Sequence, residues 1–115
     1  MNQDQDESNS DIVTPAFAYF EDLVDTDLGV RSLAGEPLPS LHCVALNDRG
    51  MSAGFHSFSV TFAGPVNQAL TQGTVVVEAP GHPAAFVFFT PTGVRDDQMH
   101  YEAVFNQPAT DEEQR

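Results

Sequence analysis

The chain has 115 residues, of which 41% are hydrophobic and 10% aromatic, so it can form one domain with its own core but not two ordinary domains. Its 17 acidic residues stand against four basic ones, all arginine, and the formal net charge is −13. Such a charge argues against binding to nucleic acid and against attachment to or insertion into an anionic membrane.

Both ends of the chain are acidic and nearly free of apolar side chains. Residues 1–11 contain four acidic residues and no basic one. Segments of this composition bury too little apolar surface to offset the entropy lost on ordering. We predict disordered acidic tails over residues 1–13 and 108–115, on either side of a single β domain over residues 14–107.

The N-terminal stretch also lacks the features of a secretion signal. It has no positively charged segment followed by an apolar one, and the longest apolar run, residues 84–89, is too short to cross a bilayer. We expect a leaderless cytoplasmic protein, for which incorporation into an extracellular assembly stays open.

The first predicted element is a short helix near the N-terminus. Thr14 and Pro15 suit the start of a helix, and the apolar residues that follow are spaced by three and four positions. We predict that this helix ends near Val24.

The remaining predicted elements are strands. Residues 58–62 alternate apolar and polar side chains up to Gly64-Pro65, and residues 74–79 and 84–90 flank a Pro80-Gly81 pair suited to a type II turn. Residues 99–106 alternate again, and residues 28–33 and 41–46 bring the count to about six. The pattern predicts a mainly β fold, a small antiparallel β-sandwich or barrel with one short N-terminal helix.

Two polar segments between strands are predicted to be loops. Residues 49–55 contain Gly50 and Gly54 but no lysine and no following helix, so they lack the features of a phosphate-binding loop and are expected to form a mobile loop. Residues 95–98, with the adjacent pair Asp96 and Asp97, are expected to form a solvated loop.

Two groups of potential metal ligands lack the residue spacing of a known metal site. Residues 25–36 place carboxylates at three positions of a calcium loop, but valine occupies the position that requires glycine, and a proline pair prevents the exit helix. Four histidines and the single cysteine lie in separate segments without the paired spacing of a zinc site. These residues are His42, Cys43, His56, His82 and His100. We predict no metal and no other cofactor.

The sequence contains none of the arrangements that would place a nucleophile beside a base. It lacks a G-x-S-x-G elbow and a cysteine–histidine signature, and Cys43 is expected to be a buried apolar residue. We therefore predict a non-enzymatic protein without catalytic residues.

The aromatic run at residues 86–89 carries apolar side chains on both faces of its strand, so both faces need cover. One face could be covered by a partner. The candidate interaction surface is whichever part of Phe55, Val87, Phe89 and Val104 the core leaves uncovered. The alternative is a cleft for a small apolar molecule or a sugar, lined by Phe55, Phe86, Phe88, Phe89 and Tyr101.

Five short motifs, in order along residues 20–106, resemble an uncharacterised bacterial family of small β domains of unknown function. The motifs are FEDLV at 20–24, FSVTFAGP at 58–65, LTQGT at 70–74, FTPTG at 89–93 and YEAVFN at 101–106. The resemblance implies that members are often encoded beside proteins similar to phage tail-collar (microcystin-dependent) proteins. It assigns them no activity, and no site residue is carried over from it.

Two hypotheses of function follow. The first is a non-enzymatic structural, assembly or interaction module that binds a protein partner or itself, as an accessory of a phage-tail-like or surface filament system. The second is a β module that binds a small ligand or a carbohydrate.

Overall fold

The computed structural model describes residues 12–108, which form one short helix and six strands. The elements are α1 (Phe17–Glu21), β1 (Asp27–Arg31), β2 (Pro37–Ser52), β3 (Phe55–Pro65), β4 (Gly73–Glu78), β5 (Ala85–Arg95) and β6 (Gln98–Pro108). A single 3-10 turn, Val66–Gln68, follows β3. The predicted mainly β fold of about six antiparallel strands with a short N-terminal helix is confirmed.

The six strands form a closed barrel in the order β1-β2-β3-β6-β5-β4. Every neighbouring pair is antiparallel, and the pairing of β1 with β4, which places Val30 opposite Val77, closes the ring. Closure pairs the strands that would otherwise be sheet edges. Of the two predicted architectures, the structure is the barrel.

Alternate side chains of each strand point inward and fill the barrel. The ring centre of Phe89 lies 6.5 Å from that of Phe62 and 4.9 Å from that of Tyr101. The interior is therefore a packed core. Its strand residues include Leu28, Val30, Leu41, Cys43, Phe58, Val60, Phe62, Val75, Val77, Ala85, Val87, Phe89, Tyr101 and Ala103.

Helix α1 packs against the barrel core through one aromatic side chain. Phe20 is fully buried, and its ring centre lies 6.3 Å from those of Phe58 and Phe62 and 5.5 Å from that of Phe105. The helix ends at Glu21, before the predicted end near Val24. Beyond the helix the chain forms a turn, in which the Leu23 carbonyl oxygen accepts hydrogen bonds from both the backbone and the side chain of Thr26.

The segment before α1 is part of the fold. The Val13 amide donates to the Ala84 carbonyl, and the Phe86 amide donates to the Val13 carbonyl, both at 2.9 Å. At the other end, Pro108 lies opposite Phe55 within β6. Val13 and Pro108, which lie next to the predicted domain bounds of 14 and 107, therefore take part in the pairing. The predicted tail residues 1–11 and 109–115 lie outside the described part of the chain.

The structure corrects the prediction of a mobile loop over residues 49–55. Strands β2 and β3 continue their pairing to Ser52 and Phe55 and reverse over Ala53 and Gly54, both of which have positive φ. An oxygen of the Asp48 carboxylate accepts the Gly50 amide at 2.8 Å, beside a bulge in β2. The segment is a hairpin tip, because barrel pairing extends both strands through its polar residues.

Strand β5 is also longer than predicted. The pairing with β6 places Pro91 opposite Tyr101, shifts register at a bulge, and continues to Arg95 opposite Gln98. The bulge lets the chain pass Pro91 without ending the strand. The predicted solvated loop contracts to a tight turn, with Asp96 at φ 52° and Asp97 at φ 64°.

The turn predicted at Pro80-Gly81 is present. Gly81 has φ 80°, and the His82 amide donates to the Ala79 carbonyl at 3.1 Å. Glycine accepts this positive angle without steric cost, and proline fixes the preceding one. The predicted hairpin of β4 and β5 is therefore confirmed.

The net charge of −13 predicts that salt stabilises the fold. The Debye length falls from about 30 Å at 0.01 M salt to about 10 Å at 0.1 M, so added salt screens the repulsion among surface carboxylates. We expect the melting temperature to rise between these two concentrations, measured by circular dichroism at constant pH. A melting temperature that does not change would contradict a repulsive surface.

Candidate functional site

The structure divides the four residues predicted to form an interaction surface into two groups. Val87 and Phe89 are 1% and 0% exposed, because inward positions of β5 carry these two side chains. They belong to the core, and their place in the predicted surface is corrected. Phe55 and Val104 are 42% and 60% exposed and face outward from β3 and β6.

The outward face of β5 carries the two other phenylalanines of the run. Phe86 and Phe88 alternate with the buried residues and are exposed, Phe88 to 52%. Phe88 and Val104 each lie two residues beyond the pair formed by Thr90 and Glu102, so they share one outward face where β5 and β6 begin to separate. We call Phe86, Phe88 and Val104 the outer apolar patch.

The remaining predicted surface residue lies on the same wall of the barrel but outside this patch. Phe55 and Ser59 both face outward from β3, and Val104 lies opposite Ser59. Four residues of strand separate Phe55 from that position, which corresponds to about 13 Å. Phe55 therefore extends the apolar character of the wall toward the β2–β3 hairpin tip.

The alternative aromatic cleft is not formed. Phe89 and Tyr101 are packed inside the barrel, whereas Phe55, Phe86 and Phe88 point outward, so the wall of the barrel separates the two sets. The Tyr101 hydroxyl accepts a hydrogen bond from the Leu70 amide at 2.7 Å. This tyrosine is therefore a core residue with a satisfied polar end.

A polar pocket lies on the outer wall over β3, β5 and β6, adjacent to the outer apolar patch. It encloses about 150 Å³. Glu102 at its border forms an ion pair with Arg49 of β2, with Nη2 3.6 Å from Oε2. The pocket is lined by Thr61, Thr92, Arg95, His100 and Glu102.

The histidines are distributed around the fold, and two of them pair with aspartates. Nδ1 of His42 lies 2.8 Å from Oδ1 of Asp27 on the outer wall. His56 is buried against the rings of Phe17 and Phe58, and its Nε2 lies 2.9 Å from Oδ1 of Asp48. Within residues 12–108 no group of three or more histidine, cysteine, aspartate or glutamate side chains is placed to hold a metal ion.

The hydrogen bonds at the β2–β3 hairpin tip favour the ionised form of Asp48. The Gly50 amide, first, and the His56 side chain lower the pKa of this carboxyl group below its ordinary value. These contacts hold the hairpin tip, and they account for His56 as a structural residue at the end of the barrel.

The segment considered as a calcium loop forms part of the barrel. Residues 27–31 are strand β1, in which Val30 points into the core. A calcium loop would need this stretch to curl around the ion. Its backbone is instead extended between β2 and β4.

The single cysteine is expected to react slowly. Burial, first, and the nearby negative charge of Asp25 raise the pKa of the Cys43 thiol to about 11. Since the thiolate is the nucleophile, alkylation by iodoacetamide at pH 8 should be much slower in the folded protein than in the guanidinium-unfolded chain. Mass spectrometry over time measures both rates, and equal rates would contradict the placement of Cys43 in the core.

Most residues of the polar pocket were not singled out from the sequence. The alternation of residues 86–89 was correctly interpreted as two apolar faces of one strand, but nothing in the local sequence shows which face points inward. The partners of the polar pocket lie on three strands and are brought together only by barrel pairing. Their one signal in the sequence is the scarcity of basic residues, which makes each arginine conspicuous.

Comparison with known proteins identifies one family. Residues 15–105 match the model of a family described as a domain of unknown function (DUF6916). No curated protein and no solved structure matches the chain. In the part of the chain that the structure describes, no helix is long and apolar enough to span a membrane.

Proposed function

The chain belongs to the DUF6916 family of domains of unknown function, and for it we propose a non-enzymatic role as an interaction module that binds a partner protein through the outer apolar patch. The observation that carries this proposal is that Phe88 and Val104, both exposed, share one outward face of the barrel wall.

The patch is not part of the core that fills the barrel. Inward residues of the same strands fill the core, so Phe86 and Phe88 are not needed to complete it. Outward positions of a barrel in water are normally polar, and clustered aromatic side chains there are typical of binding surfaces. A partner that covers Phe88 would bury a large apolar ring at the centre of the contact.

Charge indicates what kind of partner fits. A second copy of the chain would bring two charges of −13 together, which opposes self-association at low salt. A different protein with an apolar centre and a basic rim would be attracted instead. We therefore propose a heterologous basic partner, and the resemblance noted from the sequence suggests a component of a phage-tail-like or surface filament assembly.

The test compares two exposed apolar residues. Phe88→Ser removes the centre of the patch, and Leu33→Ser removes an apolar side chain that is 63% exposed in the turn between β1 and β2. A protein captured from the native host is identified and purified, and its affinity for each variant is measured by calorimetry at low and high salt.

We expect Phe88→Ser to weaken binding by at least about tenfold, while Leu33→Ser leaves it unchanged. Added salt should also weaken binding, because the charges are complementary. Equal effects of the two substitutions, or binding that tightens with salt, would contradict the proposal. Concentration-dependent dimers that Phe88→Ser abolishes would instead identify the partner as a second copy.

The alternative ligand-binding function loses its original site, since the five aromatic residues assigned to it lie on opposite sides of the barrel wall. A different location on the outer wall, the polar pocket, offers polar groups to a small molecule.

A further inference from the structure

The polar pocket on the outer wall brings together side chains of different chemistry from three strands. Thr61 comes from β3, Thr92 and Arg95 from β5, and His100 and Glu102 from β6. The pairing of Thr61 with Glu102 fixes its floor, and the bulge in β5 places Thr92 at its side. Its volume of about 150 Å³ lies below that of most ligand pockets, so it can take up one small group of a ligand.

The pocket contains one of the few arginines of a strongly acidic protein. Arg95 forms no ion pair with any residue of 12–108, whereas Arg31 is paired with Glu78 at 3.1 Å. Glu102 is paired with Arg49, so two arginines face one glutamate in this region. An arginine guanidinium offers paired donors in the geometry of a carboxylate. The pocket can therefore hold one carboxylate against Arg95.

The other side chains of the pocket determine which carboxylate-bearing molecules it can bind. Glu102 is an acceptor only, and it repels a ligand that offers nothing but negative charge. The hydroxyls of Thr61 and Thr92 both donate and accept hydrogen bonds. Nδ1 of His100 lies 3.3 Å from the Gln98 carbonyl oxygen, and the tautomer that donates there leaves Nε2 as an acceptor. Together these groups suit a ligand with several hydroxyls.

A buried polar atom lies next to the pocket on the same wall. Ser59 precedes Thr61 by two residues on the outward face of β3, and it is fully buried. Its hydroxyl has no hydrogen-bond partner among the described residues. Buried hydroxyls without a partner are rare in folded proteins, and each calls for an explanation such as an ordered water or ion beside it.

We propose that this pocket binds a hydroxylated carboxylate of the uronic acid type. Arg95 holds the carboxylate, and the threonine hydroxyls, His100 and Glu102 bind the ring hydroxyls. The site is independent of the partner protein proposed above.

The test is a titration of the full chain with sodium glucuronate, followed by backbone amide shifts in nuclear magnetic resonance spectra. Glucose, which lacks the carboxylate, and acetate, which lacks the hydroxyls, are titrated at the same ionic strength. Arg95→Gln is compared with Arg31→Gln, which removes an arginine outside the pocket. Thr92→Val provides a second variant at the pocket that keeps the charge.

We expect saturable shifts centred on residues 61, 92 and 100 with glucuronate, at millimolar concentrations. Glucose and acetate should each bind at least about tenfold more weakly, as should Arg95→Gln with glucuronate, while Arg31→Gln binds normally. Thr92→Val should weaken glucuronate but not acetate. Absence of saturable shifts with glucuronate, equal binding of acetate, or no effect of Arg95→Gln would overturn the proposal.

Discussion

Replacing Phe89 with alanine is expected to lower the free energy of unfolding by about 3–5 kcal/mol, while replacing the adjacent Phe88 with alanine changes it by less than about 0.5 kcal/mol. Phe89 is fully buried between the rings of Phe62 and Tyr101, whereas Phe88 is 52% exposed on the outer wall. Truncation at residue 89 leaves a cavity in the core, whereas truncation at residue 88 removes a ring that already lies about half in solvent. Urea unfolding monitored by circular dichroism measures both values.

The two substitutions control for one another, because they remove the same atoms at adjacent positions of one strand. A large loss of stability from Phe88→Ala together with a small one from Phe89→Ala would mean that β5 faces the other way. That result would also remove the basis for an interaction surface at Phe88.

The second large effect is expected at helix α1. Replacing Phe20 with alanine should destabilise the domain by about 3–5 kcal/mol, since this side chain is fully buried against the rings of Phe58, Phe62 and Phe105. The helix has only five residues, so packing rather than helix propensity keeps it in place. The same unfolding measurement applies.

The control is Glu21→Ala, an exposed position of the same helix, which should change stability by less than about 0.5 kcal/mol. Phe20→Leu should recover part of the loss, because it restores apolar volume at that position. An unchanged unfolding midpoint in Phe20→Ala would contradict the role of α1 in completing the core.

The sequence predicted the strands wherever side-chain alternation was strong. Residues 58–62 and 99–106 gave the centres of β3 and β6, and Pro80-Gly81 gave the β4–β5 turn. Alternation fades near the hairpin tips, so β2 and β3 were predicted too short. There the pairing is held by backbone hydrogen bonds and by contacts across the hairpin such as that of Asp48 with His56, which side-chain alternation does not reveal.

Barrel closure and the orientation of β5 could not be predicted from local sequence patterns, because both depend on pairing between separate segments of the chain. Pairing of β1 with β4 joins residues far apart in the chain, and no short motif encodes it. The apolar run at residues 86–89 is compatible with either of its faces pointing inward, and only the pairing with the neighbouring strands determines which face does. Of the four residues of the predicted surface, Phe55 and Val104 are therefore exposed, whereas Val87 and Phe89 are buried in the core.

Site-specific photo-crosslinking from position 88 in the native host tests the central claim most directly. A benzophenone-bearing residue replaces Phe88 in one variant and Leu33, which is similarly exposed outside the outer apolar patch, in the other. We predict one dominant crosslinked protein from position 88, rich in basic residues at its contact, and no such product from position 33. The same products from both positions, or none from position 88, would contradict an interaction surface on the outer wall of β5 and β6.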